Sequence, residues 1–250
     1  MNDAPPRCLV KSVIRKESHM RRFLFSSLSF LLLATLTCFS QQTEITQFAV
    51  VTGYSYLATP SLNLTQRGFN GDFAQNVRPW LSLGFDFSTF SGGSTLLPIY
   101  LNSATQLKLA QAIQLGFPAS ALARGIPYTS STYTYQAGPQ FNYRRFKKVT
   151  LFIRPALGLL HAKVQTAPNP VAATLVKGLM KGKLASADNA IFWGFGGGAT
   201  WEIHPNFGLR VAADLARFNF FPDMLNGSRN TVRLTVATKF GFGKNIMRTY

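Results

Sequence analysis

Residues 80–90, Trp-Leu-Ser-Leu-Gly-Phe-Asp-Phe-Ser-Thr-Phe, leave little choice of local structure. Successive side chains of a β-strand point to opposite faces. Here Leu81, Leu83, Phe85 and Phe87 share one face, and Ser82, Gly84, Asp86 and Ser88 share the other. The period is two, with no competing 3.6-residue pattern. The polar face is the informative one. A water-facing strand carries Lys, Glu and Thr; this one carries small residues and a lone acid. Such a face suits the crowded interior of a narrow barrel whose exterior is apolar, the inverse of a soluble protein.

The same alternation recurs along the chain and predicts eight strands, at 46–57, 67–77, 80–90, 132–143, 149–163, 190–203, 207–218 and 231–242. Phe48, Val50, Tyr54 and Tyr56 oppose Gly53 and Ser55 in the first. Trp193, Phe195 and Trp201 oppose Gly194, Gly196, Gly198 and Glu202 in the sixth. Each segment is long enough to cross a bilayer at a tilt, and eight is the smallest even closure. The connections are predicted short after strands 2, 4 and 6 and longer after 1, 3, 5 and 7, with 60–66, 91–129 and 165–188 among the loops. Helices are expected within them at 105–115, ended by Gly116, and at 171–183 after Asn169-Pro170. That alternation matches the periplasmic-turn and external-loop asymmetry of outer-membrane barrels. Two interfacial aromatic girdles follow: Tyr54, Tyr56, Tyr133, Tyr135 and Trp193 at the loop end, and Trp80, Tyr143, Trp201, Phe240 and Phe242 at the turn end.

The inward parity also collects eight charges: Asp72, Asp86, Glu202 and Asp214 against Arg154, Arg210, Arg233 and Lys239. A charge facing lipid at mid-bilayer costs about 2–4 kcal/mol. Pairing across a narrow lumen avoids that cost, so a structural network is expected, with a pore lining as the alternative. Pro139 and Pro155 interrupt strands 4 and 5, where each removes a ladder donor. A bulge at each, or a strand limit there, is the expectation.

Residues 1–40 read as an upstream extension and a cleavable signal peptide, and 41–250 as the barrel domain. Arg21 and Arg22 precede the apolar run 23–36, and small residues at Cys38 and Ser40 place cleavage before Gln41. Met20 is a candidate start. The cysteines, Cys8 and Cys38, both precede that point, so no disulfide is expected in the barrel domain. The chain carries +17, and residues 41–250 keep 20 basic and 7 acidic residues. Export argues against nucleic acid as the partner of this charge. An anionic lipid or lipopolysaccharide surface fits it.

Four short stretches carry a resemblance: Gly53-Tyr54-Ser55-Tyr56, Trp80-Leu81-Ser82-Leu83-Gly84, Ala137-Gly138-Pro139-Gln140-Phe141 and Gly196-Gly197-Gly198 before the tight turn. Over residues 46–242 the chain resembles the bacterial outer membrane protein β-barrel family, the small OmpA-like eight-stranded barrels. The resemblance implies a Gram-negative outer-membrane location, insertion by the barrel-assembly machinery and a monomer. Phe240 and Phe242 match the family's terminal aromatic pattern, although 243–250 follow. The peptidoglycan-binding role of longer OmpA-like proteins is not carried over.

No motif carries catalysis. Gly194-Phe195-Gly196-Gly197-Gly198 lacks the Lys-Ser/Thr ending of a phosphate loop and lies within a strand pattern. His161 and His204 are expected near opposite membrane faces, too far apart to share a metal. His161 with a loop Ser or Asp is the weak opening for a lipid-modifying enzyme. The basic turn 144–148 reads as solvated, and Lys177, Lys181 and Lys183 as part of a mobile loop, with a face for the anionic outer leaflet as the alternative. The expectation is a non-enzymatic envelope protein, structural or binding through its external loops, without cofactor or metal. A narrow porin-like channel is the alternative.

Overall fold

The computed structural model describes residues 42, 44–114, 125–166 and 185–249. The expectations for residues 1–40, for Gly116 and for the helix at 171–183 lie outside the described residues. Eight strands form the molecule: β1 (Thr46–Thr59), β2 (Leu64–Arg78), β3 (Leu81–Leu96), β4 (Ile126–Tyr143), β5 (Val149–Thr166), β6 (Ala185–His204), β7 (Phe207–Phe218) and β8 (Arg229–Asn245). Each pairs antiparallel with its neighbour in sequence, and β8 pairs with β1, so the barrel is closed and no edge is left. The outward row Phe48, Gln75, Leu83, Pro139, Pro155, Phe195, Leu215, Val232 follows the register around the wall. It re-enters β1 at Ala58, ten residues beyond its start. That stagger tilts the strands and keeps an eight-stranded lumen narrow enough for side chains to fill.

All eight expected strands are present with the expected facing. β3 begins at Leu81, because Trp80 belongs to the two-residue turn with Pro79. The loop-end limits differ most: β3, β4, β5 and β6 all run several residues further into the connections. The first loop-end connection is only residues 60–63, not a long loop. Pro60 opens a single 3₁₀ turn, and Asn63 closes it in the left-handed conformation, its N–H bonding the Pro60 carbonyl at 3.1 Å. It is no longer than the 144–148 turn opposite, so the length alternation holds only for the later connections.

Polarity explains the extension. Through the middle of the wall, apolar side chains point out and polar ones point in. Toward the loop end this inverts. Arg67, Ser91, Lys163 and Arg217 are exposed on the outside, while Phe90, Tyr128, Leu160, Phe192 and Phe218 are buried inside. There the barrel has the ordinary arrangement of a protein in water, with its own apolar core. Leu62, Leu101, Leu109, Phe220 and Leu225 from the connections complete that core.

Pro139 and Pro155 mark no bulge. Pairing flanks them in one unchanged register, Ala137 with Leu157 and Phe141 with Ile153, which sets the two prolines opposite each other. The β4–β5 pairing lapses over three positions, Gly138 to Gln140, and both absent donors lie at its centre. The strands also come close here: a Cβ on Gly138 would lie 2.2 Å from the Pro155 carbonyl oxygen. Only glycine fits that approach.

Candidate functional site

The lumen is filled in three layers. At its middle, six of the eight expected charges form one network. Arg154 reaches from β5 to Asp72 on β2 (Nη1–Oδ2, 2.7 Å) and Asp214 on β7 (Nη2–Oδ1, 3.2 Å), with Asp86 at 3.8 Å. Arg233 on β8 holds Asp86 at 2.7 Å and Asp214 at 2.8 Å. Arg210 on β7 donates to Asp72 at 3.3 Å and to Thr200 at 3.1 Å, and its guanidinium lies 4.6 Å from the centre of the Phe152 ring. Asp72 and Asp86 sit directly opposite each other on adjacent strands. Two like charges so placed repel, and the arginines that face both offset this. Ser88 donates to Asp86 and accepts from Arg233. Gln136, with its amide oxygen turned toward the arginines, accepts from Arg154 and Arg233. These side chains are buried, and their strong bonds are charge-assisted.

The other two charges stand apart, nearer the turn end: Lys239 donates to Glu202 at 2.6 Å. Below them the lumen is floored by a residue expected in solvent. Arg144 of the 144–148 turn folds inward and donates to the Pro79 carbonyl at 2.9 Å and to Asn76 at 3.1 Å. Gln42 bonds Thr150 beside it at 3.1 Å. Burial pulls the Arg144 guanidinium down to about 10, with Glu202 partly offsetting, so it stays charged at neutral pH. Its one sequence signal is position: it is the first residue of the turn, next to a lumen lined with acceptors.

The loop end is closed by a cap. Residues 97–114 cross the mouth and include α1 (Ser103–Gln114). Asn102 caps the helix, its Oδ1 accepting from the Thr105 N–H at 2.8 Å. The same residue ties the cap to the β7–β8 connection: its N–H bonds Met224 at 2.8 Å and its Nδ2 bonds the Asp223 carbonyl at 2.9 Å. Leu101 and Leu225 add a short β-bridge, and Arg229 donates to the Tyr100 carbonyl at 3.3 Å. A cavity of about 30 Å³ beside the network is lined by Gln136, Arg154, Arg233, Leu160, Phe192 and Phe218, room for only about two or three waters.

The exterior reverses the lumen. Phe69, Phe85, Leu157, Ile153, Val211 and Val236 are among the many large apolar side chains left exposed. No monomer in water carries such a belt. Among the described residues no helix is long and apolar enough to cross a membrane; the strands form the crossing surface. The residues expected in the girdles point outward, and Trp80 stacks on Phe141 at 6.2 Å. His161 also lies on the outer wall. Its Nδ1 meets Asn189 Oδ1 at 2.7 Å and its ring lies against Tyr133. His204 is at the opposite end, accepting from the Asn206 N–H. No group of three metal-ligating side chains occurs among the described residues.

No family model matches the chain. No curated protein does either. Solved structures do match. Neisserial surface protein A (NspA) aligns with 78% of this chain and 97% of its own, at 13% identity and a TM-score of 0.50. Ail, the attachment invasion locus protein of Yersinia pestis, aligns with 78% and 99% at 17% identity and 0.45. OprG of Pseudomonas aeruginosa aligns with 82% and 99% at 10% identity and 0.44. At these identities the likeness concerns fold alone, and NspA carries it. With a closed eight-stranded wall, an apolar exterior and a polar interior, the chain has the fold of the small outer-membrane β-barrels.

Proposed function

We propose that the protein is a non-enzymatic barrel of the bacterial outer membrane that works as a plugged anchor, with its activity on the external loop end. The barrel sits in outer-membrane lipid as a monomer, delivered by the barrel-assembly machinery. The observation that carries this reading is the continuous filling of the lumen. Among the described residues the ion network from Asp72 to Arg233, the Arg144 floor and the loop-end cap occupy the lumen, which supports a plug over a path for hydrated ions. A pore would need its charges turned toward water; here they are spent on one another. His161 meets the Asn189 amide rather than a nucleophile, which supports the non-enzymatic reading.

The test is conductance of the folded protein in planar bilayers. No steady openings are expected from the wild type. Stable openings that disappear in Arg210→Ala would replace the anchor with a narrow channel.

A further inference from the structure

The apolar wall is not uniform. A trough of about 550 Å³ runs across β6, β7, β8 and β1 on the lipid-facing side. The register shows how it is made. One rung joins Ala199, Val211, Val236 and Tyr54; the next joins Gly197, Ala213, Leu234 and Tyr56. The rung on the loop side carries Phe195, Leu215 and Val232, and the rung on the turn side carries Trp201 and Leu209. Larger side chains therefore flank a floor of glycine and alanine on β6 and β7. Three inter-strand gaps make the trough about 14 Å long. Because the strands it crosses are tilted by about 40°, the trough descends about 10 Å, roughly two-thirds of one leaflet of a hydrocarbon core about 30 Å thick.

The two ends differ. The Gly197–Ala199 end lies within the apolar wall. The other rises with the stagger of the barrel to the Tyr54 and Tyr56 rings, where wall polarity begins to invert. Tyr56 pairs across the ladder with Arg67 on β2. Arg67 is exposed on the outer face and has no ion-pair partner among the described residues. An apolar trough that descends into one leaflet and ends at tyrosines and an open guanidinium matches an acyl chain joined to an anionic head group.

We propose that this trough holds one acyl chain of a lipopolysaccharide molecule from the outer leaflet, with a lipid A phosphate on Arg67. The proposal rests on the outer-membrane reading above. It commits to the outer leaflet because the charged end lies at the loop end. The site is a seat for a particular lipid, distinct from the general contact of the belt with the bilayer.

Native mass spectrometry of the folded full-length protein in detergent, titrated with purified lipid A, tests it. One retained lipid A per chain is expected. Ala213→Phe, which fills the floor, should weaken retention about tenfold, and so should Arg67→Ala or lipid A stripped of its phosphates. Ala137→Phe, an equal bulk on the β4 wall, should leave retention unchanged. Equal loss in Ala213→Phe and Ala137→Phe, or no loss in either, overturns the trough. Full retention by Arg67→Ala overturns the phosphate contact, and equal retention of phosphatidylglycerol overturns the choice of lipid. Folding of each variant is checked by its heat-dependent gel mobility, with Ala199→Leu as the second floor variant. Loss of selective retention in a barrel that still fractionates with outer membranes sinks this inference alone. A chain that does not fractionate there sinks the location.

Discussion

Gly68 and Gly71 lie three residues apart on β2 and face opposite sides of the wall. A Cβ on Gly68 would stand 1.7 Å from the Thr89 carbonyl oxygen, which is backbone and cannot swing away. A Cβ on Gly71 would meet nothing within 4 Å, because Gly71 faces outward. Gly68→Ala should therefore cost about 1–3 kcal/mol, the usual penalty of overpacking. Gly71→Ala should be neutral or gain up to about 1 kcal/mol by restricting the unfolded chain. Equilibrium urea unfolding in detergent compares them, and equal effects would mean that β2 and β3 can separate freely. The lumen charges give a second contrast at this scale. Lys239→Met removes the cation bonded to buried Glu202, leaving only the more distant Arg144 and Arg210 to offset it, and should cost at most about 3–5 kcal/mol. Adding Glu202→Leu removes the stranded charge and should recover most of that loss in the same assay. A double variant as unstable as the single one would show that the pair contributes more than mutual neutralisation.

At the level of strands, the β4–β5 pairing lapses over Gly138 to Gln140, centred where Pro139 faces Pro155. Both donors are lost together, so Pro139→Thr with Pro155→Val should restore two bonds, worth about 1 kcal/mol each. Either substitution alone should restore one. A double variant no more stable than wild type in urea unfolding would mean that the rung is held apart by something besides its missing donors, such as the tight approach at Gly138. At these prolines facing is legible in the sequence and register is not. Period-two alternation is local, so facing along each strand was legible from residues such as Phe85 and Asp86. Register is not local, so nothing in either strand announced that the two prolines share a rung. The loop-end limits were hidden for another reason. Alternation identifies the core face only when the outside is apolar, and around Phe90, Leu160 and Phe192 the apolar residues point inward. The eight lumen charges could be collected by parity alone. Which acid meets which base depends on closure around the barrel, and Arg144 enters only through the shape of a turn.

The whole molecule is an inverted protein through the bilayer and an ordinary one above it. The three tryptophans sample this design without any labelling. Trp80, Trp193 and Trp201 are all exposed on the outer wall, Trp80 beside the β2–β3 turn, Trp201 near the β6–β7 turn and Trp193 further toward the loop end. If the apolar belt contacts acyl chains, bromine carried on lipid tails should quench the emission of all three in vesicles, whereas aqueous iodide should reach them weakly. Retaining one tryptophan at a time, with Phe at the other two positions, assigns a depth to each. Trp80 and Trp201 should respond to bromine at a similar depth near one interface, as two members of one girdle, and Trp193 at a separate depth toward the other. A soluble barrel of the same topology would give the opposite pattern, iodide quenching all three and lipid-borne bromine none. The measurement thus decides whether the exposed Phe, Leu and Val side chains are solvated by lipid, on which the anchor and the lipid seat both depend.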